Sequence, residues 1–582
     1  MSNLHPGLIL IIAGLIAAVL PKNLRKFAVV GGPLLALAAT LSLEVGALWA
    51  IPFINGMELH LIDLDKMGWM FALIFSLMAV MGGFYVSHSE SWMECMAAMM
   101  YAGSILGVVL CGDWMTMIFF WELGAATSLF LIWCNNTPAS RKAGFRYLLV
   151  HMTGGNLLLA GVFLLVSGGD FFIHSLTGMS GAAYWLILLG VGINAAVVPL
   201  HAWITDAYPE ATVAGSVFMG AFTTKMAAFC MIRLFSGSEI MIYLGVFMAL
   251  YASCFVIIEN DMRRLLSFHI VGQIGFIVAG LGVGNALGIN GAAAHAFTNV
   301  LFKSLLFMAV GAIIYTTGIR KINELGGMYK KLPLVTLFFF IAAFSISGVP
   351  FFTGFVSKSV IMTGAAEAGL LWVEMCLKIA SIATFVSITL KMGYFIFFGE
   401  DNDKVVVQRK VPLGMYIAMG IDAVLCVLFG VFPELLYNML PMEMEYHVFT
   451  VDHFMAYIQL LGVSMIPFMM YLDHMKPHSE LSLDFDWFYR KPFKKLIYSI
   501  SSLVCATRLA LGEACLAVYD GFNKLSAHPL QFIGLLPREL ESDNGAAAPE
   551  AYDPERYRAN IGEPMIITMT AFVLAVVLIA VL

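Results

Sequence analysis

Glu122 stands in FFWELGAATSLF, a segment that is otherwise soluble in hydrocarbon. Five further ionisable side chains share that condition: Lys225 in FTTKMAAF, His295 in AAAHAF, Lys303 in NVLFKSLLF, Lys358 in GFVSKSVIM and Lys391 in ITLKMGYF. A charge at the centre of a membrane helix costs roughly 2.5–3.5 kcal/mol on insertion scales, so such groups face a bundle interior or a hydrated cavity and mark ion pathways. The competing reading of any one of them is structural, as a lysine that snorkels to the interface or a polar clamp between helices. Several in one chain argue for use. An acid and a set of amines at that depth have the chemistry of proton exchange, because burial disfavours the charged form of both. Opposite charges about 6 Å apart at an effective dielectric near 20 interact by roughly 2.8 kcal/mol. Moving one charge across 100 mV costs about 2.3 kcal/mol, which is the same scale.

These residues need long apolar elements to hold them. Of 582 residues, 60% are hydrophobic and 12% charged, against about 25% charged in a soluble domain. The mean hydropathy is +0.87. The chain is therefore read as an integral membrane protein, all-α and polytopic. Windows of about 20 apolar residues predict sixteen transmembrane helices at 6–20, 26–50, 69–87, 94–112, 114–134, 145–167, 182–203, 210–235, 239–259, 264–285, 290–317, 333–364, 369–398, 411–432, 452–472 and 563–582. The stretch LILIIAGLIAAVL is read as the first span and not as a cleavable signal. Basic residues collect after odd-numbered spans: Lys22, Arg25 and Lys26; Arg141, Lys142 and Arg146; Arg263 and Arg264; Arg320, Lys321, Lys330 and Lys331; Lys404, Arg409 and Lys410. The positive-inside rule then places the N-terminus outside the cytoplasm.

Two spans are interrupted. Pro199 lies in GINAAVVPLHAW and Pro350 in SISGVPFFTGF, in spans 7 and 12, each near small or polar residues. Broken helices at corresponding places of two repeats point to transport sites near the midplane. His151 in span 6 and His295 in span 11 also correspond. Five-helix units explain this, and an odd number of spans inverts the second unit. The expected organisation is N-terminal helices over 1–93, a first repeat over 94–235, a second over 236–400, and helices 14 and 15 over 401–472. A cytoplasmic segment follows over 473–562, then a last span over 563–582. The cytoplasmic segment carries LIYSISSLVCATRLALGEACLAVYDGFNKL, an apolar-periodic run suited to lie along a membrane surface or a neighbouring subunit. ESDNGAAAPEAYDPERYR reads as a link to the last span.

Nine cysteines are scattered singly, with no CxxC pair, so clustered thiolate ligation of zinc or iron–sulfur is not expected. No phosphate-cradling glycine loop has a convincing context, and no cofactor or metal is expected. The net charge of −6 and the absence of basic–aromatic interleaving give no sign of nucleic acid.

WELGAATSLF, PLHAWITDAYPEATVAGSVFMGAFTTK, NDMRRLLSFHIVGQIGF, HAFTNVLFKSLLFMAVG, ELGGMYKKLP and GVPFFTGFVSK resemble the antiporter-like subunits shared by respiratory complex I and multisubunit Mrp-type cation/proton antiporters. Membrane-bound hydrogenases use relatives, and the nearest likeness is to the Mrp D subunit. The resemblance covers roughly residues 95–400. It implies two inverted five-helix repeats with broken helices 7 and 12, and a lateral cytoplasmic helix that suits 492–527. It also implies a proton path of Glu122 on helix 5, Lys225 on helix 8, His295 and Lys303 on helix 11 and Lys358 on helix 12. The chain departs from the pattern at Asn194, where many relatives carry a lysine that pairs with the glutamate. Glu122 must then pair elsewhere, as with Lys225, or sit protonated. Asn299 replaces a second histidine, WLPDA reads WITDA, and His269 stands where a small polar residue is usual. His269 either substitutes for a lost group or is a hydrogen-bonded core histidine.

The leading expectation is a proton-translocating subunit, with or without exchange against Na+, in a multisubunit assembly in the cell membrane of a prokaryote. Its partners would be other membrane subunits. The alternatives are a proton-pumping subunit of a complex I-type or hydrogenase complex, and a structural subunit that conducts nothing. Redox chemistry would belong to partner subunits, and the chain itself is not expected to be an enzyme.

Overall fold

A computed structural model describes residues 4–54, 58–402, 404–472, 476–477 and 484–527. Fifteen helical spans lie between residues 6 and 470. They are α1 (Pro6–Val19), α2 (Lys22–Leu41), α3 (Lys66–Val86), α4 (Trp92–Leu110), α5 (Trp114–Trp133), α6 (Pro138–Ser167) and α7, split into α7a (Ala182–Asn194) and α7b (Ala202–Ala207). Next come α8 (Val213–Phe235), α9 (Glu239–Ile258), α10 (Met262–Val283), α11 (Ala286–Thr317) and α12, split into α12a (Pro333–Ser347) and α12b (Thr353–Glu367). Last are α13 (Leu371–Phe398), α14 (Leu413–Val431) and α15 (Val451–Met470). Thirteen helices among the described residues are long and apolar enough to cross a membrane, and one of these is a later helix, α16 (Arg490–Asn523). The shorter apolar helices are α1, α7a and α12a. The sixteenth expected span, 563–582, and the link before it lie outside the described residues.

The second expected span differs. It ends at Leu41, short of residue 50, and a hairpin follows in which β1 (Leu48–Pro52) pairs antiparallel with β2 (Glu58–Asp63). The helix is capped at Ser42, whose N–H donates back to Ala38 O, and a left-handed turn at Gly46 (φ 92°) leads into the hairpin. Most helices start on a side-chain cap: Asp65 Oδ1 accepts from Gly68 N, Asp113 Oδ1 from Thr116 N, and Thr137 with Ser140 forms a full capping box.

Loops after odd spans bond to one another. Lys22 pairs with Glu90 at 2.6 Å, Arg146 with Asp206 at 2.6 Å, and Arg320 with both Glu210 (3.0 Å) and Asp261 (2.9 Å). Lys330 pairs with Asp401 at 2.6 Å. Loops after even spans form a second set: Gly112 N donates to His60 O, Ile173 N to Gly112 O, and Thr177 Oγ1 to Ser236 O. The chain thus alternates between two faces, and the units α4–α8 and α9–α13 run in opposite senses. Glycines let helices touch. A Cβ on Gly7 of α1 would lie 2.5 Å from Gly103 O of α4, and one on Gly245 of α9 2.6 Å from Gly275 O of α10. Close small-residue contact is how membrane helices gain dispersion energy where lipid removes the hydrophobic drive. α11 lies at the centre, 94% buried, against α8, α10, α12 and α14.

The chain divides between Phe485 and Asp486 into two units. The second contains α16, whose apolar residues Leu496, Ile500, Leu503 and Leu511 are exposed.

Candidate functional site

The buried lysines share one device: each ammonium is solvated by main-chain carbonyls. α8 kinks at Phe222 (φ −101°, ψ −65°), and Lys225 Nζ donates to the freed carbonyl of Gly220 at 2.6 Å. α12 stops at Gly348 (φ 78°), passes Phe351 (φ 71°) and restarts at Thr353, and Lys358 Nζ reaches back to Ile346 O at 2.7 Å. Lys303 Nζ donates to Leu266 O of α10 at 3.2 Å. Lys391 Nζ caps the end of α9 at Ile257 O (2.6 Å) and Glu259 O (2.9 Å), where the helix dipole favours a cation. Lys225, Lys303 and Lys358 are fully buried. No carboxylate neutralises them among the described residues, so a chain break or helix end supplies the dipoles that a counter-ion would.

The structure brings these groups into one cluster. Lys303 lies in electrostatic range of both Lys225 and Lys358, and so does His295. His269 lies in range of Lys303 and Lys358. Hydroxyls and an amide join them. His295 Nε2 meets Gln273 Oε1 at 3.0 Å and its Nδ1 meets Ser357 Oγ at 2.9 Å. An amide oxygen only accepts, so Nε2 carries the hydrogen and Nδ1 accepts from Ser357. Thr298 Oγ1 in turn donates to Ser357 Oγ at 2.9 Å. Lys358 Nζ also reaches Ser381 Oγ at 3.3 Å and lies 5.0 Å over the Phe276 ring. The hydroxyls and the imidazole of this set can each accept one hydrogen bond and donate another.

Other expected positions fall elsewhere. Glu122 of α5 is half-buried, makes no ion pair among the described residues and packs its Oε1 against Gly155 of α6, where a Cβ would lie 2.0 Å away. Asn194 ends α7a and is buried with Oδ1 unpartnered. Pro199 lies in the break Ala195–His201, and Trp203 Nε1 spans that break to Ile193 O at 2.8 Å. Pro350 lies in the α12 break. The His151 ring lies 4.0 Å from that of Tyr147, tilted by 32°, and meets Trp203 edge-on at 4.6 Å. Asn299 is buried on α11 with both amide atoms unpartnered. His269 Nε2 meets Ser387 Oγ at 2.9 Å.

Sequence reasoning missed Asp422, fully buried in α14, where Ser304 Oγ donates to Oδ2 at 2.5 Å. GIDAVL carries the same signal as the segment around Glu122, an acid within a span. It also missed Asp484, which lies 3.2 Å from His201 Nε2 and accepts from Tyr251 OH at 2.5 Å. No local pattern marks that contact.

Residues 111–386 match the family model described as NADH:quinone oxidoreductase/Mrp antiporter, TM. Over that stretch, just under half of its length, the chain resembles antiporter-like membrane subunits. It is 26% identical over 349 residues to the D subunit of a Na(+)/H(+) antiporter of Bacillus subtilis, covering 57% of this chain and 71% of that one. Among solved structures it superposes on a chain of the Mrp complex from Dietzia sp. with TM-score 0.69 and 22% identity, over 80% of this chain and 98% of that chain. It also superposes on a chain of a membrane-bound sulfane sulfur reductase, an archaeal respiratory membrane complex, with TM-score 0.70 and 22% identity, over 92% and 100%. The matched region contains Glu122, Lys225, His295, Lys303 and Lys358 but ends before Lys391.

Proposed function

We propose that this antiporter-like subunit moves protons through its lysine cluster as part of a multisubunit cation/proton antiporter, in exchange against sodium. One observation carries this reading. Three fully buried lysines on α8, α11 and α12 share electrostatic range and are solvated by carbonyls freed at helix breaks or on neighbouring helices. A charge on one then acts on the next through the low dielectric between them. His295 with Ser357 and Gln273 links α10, α11 and α12. Glu122, half-buried beside α6, is the acid through which a neighbouring subunit's field would reach the row. The basic loops after odd spans occupy one face, which supports a cytoplasmic side there and an outer N-terminus.

The test is flux in sealed vesicles containing the assembled complex. Glu122→Gln and Lys358→Ala are both expected to cut proton or cation flux while the complex still assembles. Wild-type flux in either variant would count against the reading. Altered assembly with unchanged flux per complex would favour a structural subunit. A second reading, a subunit whose proton movement is driven by redox partners, is favoured by the 92% coverage of this chain by the archaeal respiratory complex. Flux that requires an electron donor, and not a sodium gradient, would select it.

A further inference from the structure

We propose that a proton route continues from Lys358 along α13, through Ser381, Thr384 and Ser387 to Lys391, and meets solvent beside the loop at Glu259. This rests on the reading of Lys358 as a proton carrier and adds a stretch that ends outside the matched antiporter region. Polar residues recur along α13 at 381, 384, 387 and 391. All four are buried within an apolar span. At 1.5 Å per residue the run covers at most about 15 Å, or half of a hydrocarbon core of about 30 Å.

Each station has a polar partner on another helix. Ser381 Oγ receives Lys358 Nζ, Thr384 Oγ1 lies 3.5 Å from Gln273 Nε2, and Ser387 Oγ lies 2.9 Å from His269 Nε2. Gln273 ties the middle station to His295. A small cavity between α9, α10 and α13 is lined by Ser253, His269, Gln273 and Thr384, so the polar side chains border open space beside the row. From Phe385 onward α13 winds as a π-helix, a widened geometry frequent at functional positions. The far end reaches the surface. Lys391 binds the carbonyls of Ile257 and Glu259 at the end of α9, and Glu259 pairs with the partly exposed Arg264 at 3.4 Å.

The transfer balances without a co-reactant. A proton leaves Lys358 Nζ for the Ser381 oxygen as that hydroxyl passes its own hydrogen onward. The stations are not bonded to one another, so water in the cavity lined by His269 and Thr384 and beside the row would accept each released proton and deliver it to Thr384, to His269 with its partner Ser387, and then to Lys391. The amine of Lys391 takes up the arriving proton and releases one to water at the Glu259 loop. The rival account is structural: Thr384 and Ser387 hydroxyls return to Ala380 O and Ala383 O of their own helix, and Lys391 merely clamps α9 to α13.

Two variants in the assembled complex separate these accounts. Lys391→Arg keeps a cation with several donors for the same carbonyls, yet a guanidinium does not release its proton. Ser387→Ala removes the contact with His269 and leaves the helix intact. Both are expected to assemble normally and to lower flux at least about tenfold, a conservative figure beside the 10²–10⁴-fold typical of a positioned proton-transfer group. Wild-type flux in Lys391→Arg makes Lys391 a clamp and overturns the proposal. If that variant does not assemble, Ser387→Ala decides: normal flux overturns the proposal, and lost flux with normal assembly supports it. Full flux in Lys358→Ala would instead sink the underlying reading, so the two failures are distinguishable.

Discussion

Gly155→Ala tests Glu122 without touching its charge. Gly155 lies in the middle of α6, and a Cβ there would sit 2.0 Å from Glu122 Oε1. The carboxylate must retreat by about 1.4 Å to reach the 3.4 Å of ordinary contact. The atom that has to move is the far end of a flexible side chain. The cost is therefore small, and replacing a mid-helix glycine returns roughly 0.5–1 kcal/mol of helix propensity. Stability should stay within about 1 kcal/mol of wild type by that balance. Function should not stay, because a misplacement of about 1 Å in a reacting group can cost on the order of a hundredfold. The assay is proton uptake into sealed vesicles, with thermal unfolding of the purified complex alongside. Flux should fall clearly while the unfolding midpoint holds. Glu122→Gln added to Gly155→Ala should be no worse than Glu122→Gln alone, since both changes act on one group. Wild-type flux in Gly155→Ala would refute the claim that the carboxylate works from its seat against α6.

Gly354→Ala gives the opposite balance. Its Cβ would lie 1.8 Å from Ser345 O, a main-chain atom across the α12 break that cannot swing aside. Overpacking of this kind costs typically 1–3 kcal/mol or more, so assembly and thermal stability should fall together, and an intact, stable variant would disprove the close approach of α12a and α12b. Asp484 predicts a pH effect. Burial opposes its charge, but contacts from His201, Tyr251 and the Phe485 N–H outweigh burial and hold the carboxyl below its usual range. A carboxyl depressed on folding adds stability above its unfolded pKa of about 3.9 and loses it as pH falls through the folded value. Asp484→Asn should therefore be less stable than wild type near neutrality, and the gap should close below about pH 4 by the same linkage. A gap independent of pH would count against it.

Much of the architecture was legible because hydrocarbon tolerates few arrangements. Runs of apolar residues located the fifteen spans between 6 and 470, and Pro199 and Pro350 marked both breaks. The end of the second span was not legible, since LWAIP is apolar enough to extend a helix and became a strand only through pairing with ELHLID. Glu122, Lys225, His295, Lys303, Lys358 and Lys391 declared themselves as charges in apolar runs. Asp422 met the same test and was overlooked.

Composition and order alone determined that the chain is membrane-embedded, where its helices lie and which residues carry an expensive charge at depth. Those follow from the cost of moving each group from water to lipid, which is a property of single residues and short windows. Only the tertiary structure decided what compensates each lysine, Gly220, Ile346 and Leu266 carbonyls for three of them and α9's end for Lys391, and that Glu122 sits against a glycine. It also brought Asp484 to His201 across 283 positions. Such partners depend on helix rotation and crossing, which side-chain packing fixes over the whole bundle and no local window encodes.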